Sequence, residues 1–481
     1  MHPDPSRHLI SKARLGSIFS GVLLFACPAP TVSHADEVDA YVTHFIQAKQ
    51  IPGLSLSVVR DGKLVKAAGY GLANLELNSA ATPETVYEIG SITKQFTAEA
   101  VLLLVEEGRL GLDDRLGKHL SGLPPAWQGL TLRQMLSHTS GLKDWESANL
   151  LSFRREYTPA EYIELMSAYP LDFPPGEGWS YSNTTYPLLG LVVTQASGKP
   201  FDEFVAGRIF KPLGMGATRF SRPQDVVMQR AGGYVEETGR WRKGELLRPR
   251  VLEPNGGILS TVLDLAKWEQ VLSRETLLKR SSLEAMQTPV RLPGGQSIPA
   301  GFGVFLDNFR GHRLLVHNGS TPGGFSSVFY HYPDDKLTVI LLCNIDRGAA
   351  INHLATRVAS FYVPGLDITA LPERPDPDPA TSAQLLAMLR ELAERRVPDL
   401  LLPGYGRRIG EATRTRVAEQ FAGLTRFVFL DREDQPKSAV GPAMAGARIL
   451  RYRMVSAKRP GYYTFHLTAD GKIAEMSFED D

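Results

Sequence analysis

Apolar and polar positions change period several times along the chain, and each change marks an element. Leu54 to Val59 (Leu-Ser-Leu-Ser-Val-Val) is strand-like, Asp61-Gly62 supplies hairpin-turn chemistry, and Leu64 to Tyr70 returns as a second strand. From Ser91 the spacing becomes helical: Phe96, Ala100, Leu103 and Leu104 fall on one face, and Gly108 is placed to end the helix after Glu107. Residues 110–300 read mainly as helices and loops rich in Pro and Gly. Strands resume at 302. One runs through Leu314 to His317, another through Phe325 to Tyr332, and after the Pro333-Asp334-Asp335 turn a third reaches Asn344. An amphipathic helix over Ala349 to Tyr362 follows.

Strands at both ends of a segment with a helical middle imply one sheet assembled from distant parts of the chain. Hairpin connections make that sheet antiparallel, so the expected class is α/β (α+β): an antiparallel sheet flanked by helices, with an all-helical insertion beside it. Pro372 to Pro379 can be neither helix nor central strand and reads as a stiff, polar linker. Beyond it lie an amphipathic helix (Ser382 to Arg396) and four strand-like runs: Phe427 to Phe429, Ala447 to Met454, Tyr462 to Leu467 and Ile473 to Phe478, the last two joined at Asp470-Gly471. The expected domains are therefore a leader over 1–35, a main domain over 36–365, a linker over 366–380 and a small α+β domain over 381–481. By element order alone that last domain resembles cone-shaped modules of the cystatin-like or nuclear-transport-factor-like kind.

The leader departs from the rest in composition. Arg7, His8, Lys12 and Arg14 precede an apolar run from Leu15 to Ala26, and Ser33-His34-Ala35 places small residues at the cleavage-determining positions. These are the features of a secretory signal, with the mature chain starting at Asp36 and destined for the periplasm or medium. The apolar run is too short to span a bilayer comfortably, and no other segment reads as transmembrane. Leu24-Phe25-Ala26-Cys27 leaves a lipid anchor on Cys27 as the alternative. Only Cys27 and Cys343 occur, so loss of the leader leaves no disulfide; Cys343 lies in an apolar strand and reads as a buried small hydrophobe. Apolar residues make up 43% of the 481 and charged residues 22%, with a net charge of +1, which gives no electrostatic case for nucleic acid.

The chemistry concentrates at Gly90-Ser91-Ile92-Thr93-Lys94. Three residues apart on a helix, Lys94 shares a face with Ser91 and can reach its hydroxyl, and a serine becomes nucleophilic when a neighbouring base takes its proton. Tyr181-Ser182-Asn183 follows, then His317-Asn318-Gly319-Ser320 at a strand end with Pro322-Gly323-Gly324 after it. Together these resemble the three signature elements of the serine β-lactamase and penicillin-binding superfamily, in the branch of class C β-lactamases, D-alanyl-D-alanine carboxypeptidases and related esterases. Tyr87 to Ala98, Leu136-Ser137-His138-Thr139-Ser140-Gly141-Leu142, Lys211 to Met215 and Gly256 to Thr261 match in the same order, so the resemblance covers 38–363.

The resemblance implies a β-lactamase/transpeptidase-like fold and a serine hydrolase. Ser91 would be acylated; Lys94 would take its proton, with Tyr181 as shuttle to the leaving group. Asn183 would orient Lys94 and bind a substrate amide, and the amides of Ser91 and Ser320 would form the oxyanion hole. Gly319, Gly323 and Gly324 suit a strand edge where substrate lies close to backbone. His317 departs from the lysine of typical class C enzymes and carries only partial charge near neutrality, which weakens the case for efficient β-lactam turnover. The expected reaction is hydrolysis of amides or esters, cell-wall D-amino-acid peptides first among substrates and peptidoglycan a candidate partner. A class C-like β-lactamase and a non-catalytic peptidoglycan binder are the alternatives. His138 reads as loop scaffold, Asp113 and Asp114 as solvated turn residues, the tryptophans as core or cleft lining, and Trp145 and Trp179 as the two nearest substrate. No Gly-x-Ser-x-Gly elbow, phosphate loop or metal-ligand spacing occurs, so no cofactor or metal is expected. Oligomeric state is not legible.

Overall fold

The computed structural model describes residues 34–146, 149–220, 222, 224–244, 249–406, 409–434 and 448–480. The basic and apolar parts of the leader, and Cys27 with them, lie outside the described residues.

The sheet predicted from both ends of the main domain forms. Its seven strands run in the order Phe305–Phe309, His312–Thr321, Phe325–Tyr332, Leu337–Cys343, Gly53–Arg60, Lys63–Asn74 and Ser79–Ala80, antiparallel throughout. The closing pair sets Leu54 opposite Cys343 and Arg60 opposite Leu337. Phe325–Tyr332 and Leu337–Cys343 are buried at every position, which is why neither shows the apolar-polar alternation of a half-exposed strand. At the first hairpin, Asp61 (φ 52°) and Gly62 (φ 73°) both take the left-handed conformation that a two-residue turn of matching twist requires.

Alternate side chains feed two cores. Val339, Leu341 and Cys343 pack under the helices His34–Ala48 and Gly348–Tyr362, while Ile340 and Leu342 join the larger cluster beneath Thr93–Glu106 and Val262–Ser273. The His34–Ala48 helix was not predicted. Burial inside the first core pushes the Cys343 thiol up to about 12, so it behaves as the inert small hydrophobe expected.

The insertion is predominantly helical, and the structure adds short ribbons to it. Tyr87–Glu88 and Arg219–Phe220 pair with Ile258–Ser260, and two small hairpins join Tyr234–Glu237 to Arg240–Lys243 and Val290–Arg291 to Ser297–Ile298. The first ribbon has a clear physical role: it ties the segment entering Ser91 to the segment leaving Asn255. Asp114 also departs from expectation. It accepts from the Gly111 amide, Lys118 and His119, and the Lys118 bond first among these holds its carboxyl down at about 2; only Asp113, with its side chain 76% exposed, is the solvated turn residue predicted.

At the C-terminal end, Leu424–Asp434, Arg448–Ser456, Gly461–Leu467 and Ile473–Asp480 form a four-stranded antiparallel sheet in sequence order. The helices Pro379–Ala393 and Glu411–Phe421 contribute to a separate apolar cluster with it. The first helix begins earlier than predicted because Asp378 caps it, accepting from the Thr381 amide at 3.1 Å, with Pro379 in its first turn. The proline-rich segment is tied down: the Arg374 amide donates to Phe429 O at 3.2 Å, and Ile368 packs with Leu430 and Tyr462. Among the described residues no helix is long and apolar enough to cross a membrane.

Candidate active site

Gly90, Ser91 and Ile92 form one tight helical turn that leads directly into the Thr93–Glu106 helix. The entry is fixed on three sides. The Ile89 amide donates to Ile258 O at 3.1 Å, the Ser327 hydroxyl donates to Ile89 O at 2.7 Å, and Gly90 takes φ 49°. A Cβ on Gly90 would lie 2.9 Å from Ser320 O and 3.0 Å from Ser320 N, so the end of the His312–Thr321 strand rests on the turn that carries Ser91. This juxtaposition sets Ser320 beside the residue that precedes Ser91.

Lys94 is fully buried, with Nζ 3.0 Å from Ser91 Oγ, 2.9 Å from Asn183 Oδ1 and 2.9 Å from Asn255 O. As a neutral amine, Lys94 can donate its two hydrogens among these acceptors and keep a lone pair with which to take the Ser91 proton. Its Nζ also stands 4.9 Å from the Tyr181 ring centroid and 5.5 Å from that of Tyr186. The Tyr181 hydroxyl is hydrogen-bonded to Ser91, and burial, aided by the charges of Glu146 and Asp144, pushes its pKa up. Tyr181 therefore rests as a neutral phenol that can relay a proton.

The Tyr181-Ser182-Asn183 segment is positioned by the loop that follows Leu132–Leu136. His138 O accepts from the Ser180 amide, Thr139 O from the Gly176 amide and Gly141 O from the Asp172 amide. His138 Nδ1 accepts from the Ser182 amide at 3.1 Å, and its ring lies 4.6 Å from Tyr181 and 5.3 Å from Tyr186. Burial first, then the Lys94 charge, holds its pKa well below the usual histidine value, so it is neutral scaffold. Asn183 is clasped by its amide to Asp144 Oδ1 (2.8 Å) and by its Nδ2 to Glu146 Oε2 (2.7 Å).

Asn183 thus orients Lys94 as expected, but its amide donor is held by Glu146 rather than turned toward an incoming substrate. His317 is 3% exposed; its Nδ1–H donates to Asn318 O at 2.8 Å, leaving Nε2 as the acceptor, and the ring stands 5.2 Å from Phe305 and 6.2 Å from Tyr181. Burial and then Lys94 pull its pKa to about 3, so it carries no charge at neutrality rather than the partial charge expected. Gly319 owes its lack of side chain to the protein itself: a Cβ there would lie 2.1 Å from Ile89 O. Gly324 (φ 78°) lies against the Tyr234 backbone in the same way. Trp179 reaches the cleft rim against Phe305 and Ile298, whereas Trp145 is 2% exposed and packs into the core against Phe153, away from any substrate. Asn255, Asp144, Glu146 and Phe305 were not anticipated. Asn255 directly precedes the Gly256–Thr261 match, the one signal that could have found it; the other three follow no spacing rule.

Residues 38–362 match the Beta-lactamase family. The chain belongs to it. In this family of serine hydrolases the chain is 31% identical to Penicillin-binding protein 4* of Bacillus subtilis over 337 residues, covering 65% of this chain and 72% of that protein. It is 26% identical to protein flp of Staphylococcus aureus, spanning 66% of that protein's length. Among solved structures, the octameric penicillin-binding protein homologue from Pyrococcus abyssi is 25% identical, covers 92% of this chain and 98% of its own, and superposes with a TM-score of 0.56. The penicillin-binding protein from Bacillus halodurans is 26% identical over 66% of this chain and 97% of that one, with a TM-score of 0.58. The D-amino acid amidase from Ochrobactrum anthropi, at 23% identity over 69% of this chain and 98% of that one and a TM-score of 0.58, shares the fold.

Proposed function

We propose that this protein hydrolyses amide or ester bonds through an acyl-enzyme on Ser91. The observation that carries the reading is the placement of a fully buried Lys94 amine 3.0 Å from Ser91 Oγ and fixed by Asn183 and Asn255. Ser91 Oγ attacks the carbonyl carbon while its proton passes to Lys94 Nζ, directly or through Tyr181. The carbonyl oxygen becomes an oxyanion held by the Ser91 and Ser320 amides, each donor contributing about 3 kcal/mol. Collapse breaks the bond to the leaving amine or alcohol, which takes a proton from Tyr181. Water, losing a proton to the same relay, then attacks the ester carbonyl and frees Ser91.

Cell-wall D-amino-acid peptides, and small esters or amides of similar shape, are the first substrate class. The neutral His317 supports this over a class C-like β-lactamase, since it offers no fixed charge to a β-lactam carboxylate. A pure peptidoglycan binder has no need of a base beside the serine. The reading places the mature protein outside the cytoplasm, with Asp36 as its first residue when N-terminally sequenced from an exporting host. The deciding experiment is turnover of p-nitrophenyl acetate by wild type and Ser91→Ala. Loss of turnover in the variant, with a mass adduct on wild type only, supports the reading; unchanged turnover in Ser91→Ala overturns it.

A further inference from the structure

The backbone carbonyl that meets Lys94 belongs to a segment bordering a cavity. Glu253 begins a short helical turn that ends at Gly256, and its first three residues are each held differently. Asn255 O lies 2.9 Å from Lys94 Nζ, and Asn255 Nδ2 donates to Asn183 Oδ1 at 3.3 Å. Pro254 O accepts from Thr97 Oγ1 at 2.6 Å, and its ring packs on Gly190, where a Cβ would lie 2.1 Å from Pro254 Cγ. These hydrogen bonds come from the segments that carry the reacting groups. Glu253 and Pro254 also form part of the wall of a cavity of about 810 Å³, which Pro187, Leu191 and Phe201 line with them.

At that wall one side chain straps the segment in place. Arg222 donates through Nη1 to Glu253 Oε1 and through Nη2 to Asp202 Oδ2, and Asp202 stands at the start of the Phe201–Val205 helix. The Glu253 side chain is 8% exposed, so Arg222 supplies the counter-charge that lets its carboxylate stay inside. Arg250, 3.8 Å from Asp202, acts on Glu253 through its field, and Glu156 lines the same cavity. Burial raises the Glu253 carboxyl to about 7 against the opposing charge of Arg222, with Asp202 adding to the rise. Removing one partner of a buried ion pair leaves a charge that must protonate or move to water. Here the room for water is the cavity, and a carboxylate turning into it draws Pro254 and Asn255 away from Lys94.

Resting on the assignment of Ser91 as nucleophile and Lys94 as its base, we propose that Arg222 is a positioning residue for this reaction: by pairing with Glu253 it keeps Asn255 O on the Lys94 amine. The cavity is what makes the charge decisive, since a close-packed core would hold the segment by contact alone. The strap touches no substrate, so its loss acts on the chemical step rather than on binding.

Arg222→Gln tests this beside Glu253→Gln, the double variant and Arg250→Gln, each read by p-nitrophenyl acetate turnover with circular dichroism to confirm folding. Arg222→Gln should lose about tenfold or more in kcat, the scale of a hydrogen bond to a charged group, with KM within about twofold of wild type. That loss should be greatest near about pH 8.5, where Glu253 is ionised, and shrink toward about pH 6 as it protonates. Glu253→Gln keeps an oxygen that accepts from Arg222 and should stay within about threefold of wild type. The double variant should recover to a similar level, because no stranded charge remains. A double variant as slow as Arg222→Gln, a loss independent of pH, or an equal loss in Arg250→Gln overturns the inference, as does a folded Arg222→Gln protein with wild-type kcat. Should Arg222→Gln fail to fold, the double variant and Arg222→Lys decide: kcat near wild type in both supports the strap, and a tenfold loss in either overturns it. Turnover that survives in Ser91→Ala sinks the proposed function, whereas Ser91-dependent turnover indifferent to Arg222 sinks this inference alone.

Discussion

Gly319→Ala places a single methyl where the structure has no room for one. Its Cβ would stand 2.1 Å from Ile89 O, 2.4 Å from Ser327 Oγ and 3.0 Å from the Ile89 carbonyl carbon. Two of these are backbone atoms at the entry to the Ser91 turn, and the third is the hydroxyl that donates to Ile89 O. Relief requires the His312–Thr321 strand to retreat from the turn by roughly 1 Å, because a close-packed interior leaves no slack. Ser320, the next residue, moves with it. Oxyanion donors work within about 2.7–3.1 Å of the developing charge, so that retreat removes the Ser320 amide from service. The expected cost is about 3 kcal/mol in the transition state, a fall in kcat of a hundredfold or more. Overpacking adds a stability loss of about 1–3 kcal/mol. The assay is kcat for p-nitrophenyl acetate beside circular dichroism, with Gly348→Ala as control, since a Cβ at Gly348 meets nothing within 4 Å. A folded Gly319→Ala protein with kcat within twofold of wild type would refute the argument that this glycine seats the oxyanion strand on the nucleophile turn.

Other consequences follow from the same geometry. With His317 held down at about 3, the kcat/KM profile between pH 5 and 8 should contain no step belonging to it; a step near 6.5 that disappears in His317→Asn would contradict this. His331, buried between Thr338 and Ser273, has its pKa lowered by burial to about 4. The unfolded chain therefore binds the extra proton between pH 6.5 and 4, so the stability His331 contributes is present above 6.5 and falls by about 3 kcal/mol as pH drops through that window. In urea titrations His331→Gln should show a flatter loss across the window, and an unchanged slope counts against the assignment. Trp268 is fully buried, stacks on Phe96 at 4.1 Å and donates to Gln95 Oε1 at 2.7 Å. Trp268→Ala should cost about 3–5 kcal/mol in unfolding free energy, and a loss below 1 kcal/mol would show that this core is not close-packed.

Much of the fold could be read in one dimension because its signals are local. The Asp61-Gly62 turn, the helix after Ser91, the buried runs 325–332 and 337–343 and the amphipathic helix ending at Tyr362 each announce themselves within a few residues. The elements that escaped lack such signals: Tyr87–Glu88, Arg219–Phe220 and Ile258–Ser260 are too short for a period, and they exist as strands only because the first two pair with the third. The three motifs likewise named Ser91, Lys94, Tyr181 and Asn183, since spacing on one helical turn or in one tripeptide is a local property.

What pairs with these residues is not local. Asn255 O holds Lys94, Glu146 holds Asn183, and Ile89 O excludes a side chain at Gly319, all across long stretches of chain. The charge of His317 also waited on the fold, because an imidazole's pKa depends on burial and on the distance to Lys94 rather than on its neighbours in sequence. The sequence by itself determined the family, the sheet and the reacting groups. Only tertiary structure decided which carboxylate holds Asn183, which amide is spoken for and which histidine is neutral, because desolvation and contact between remote segments arise only once the chain has folded.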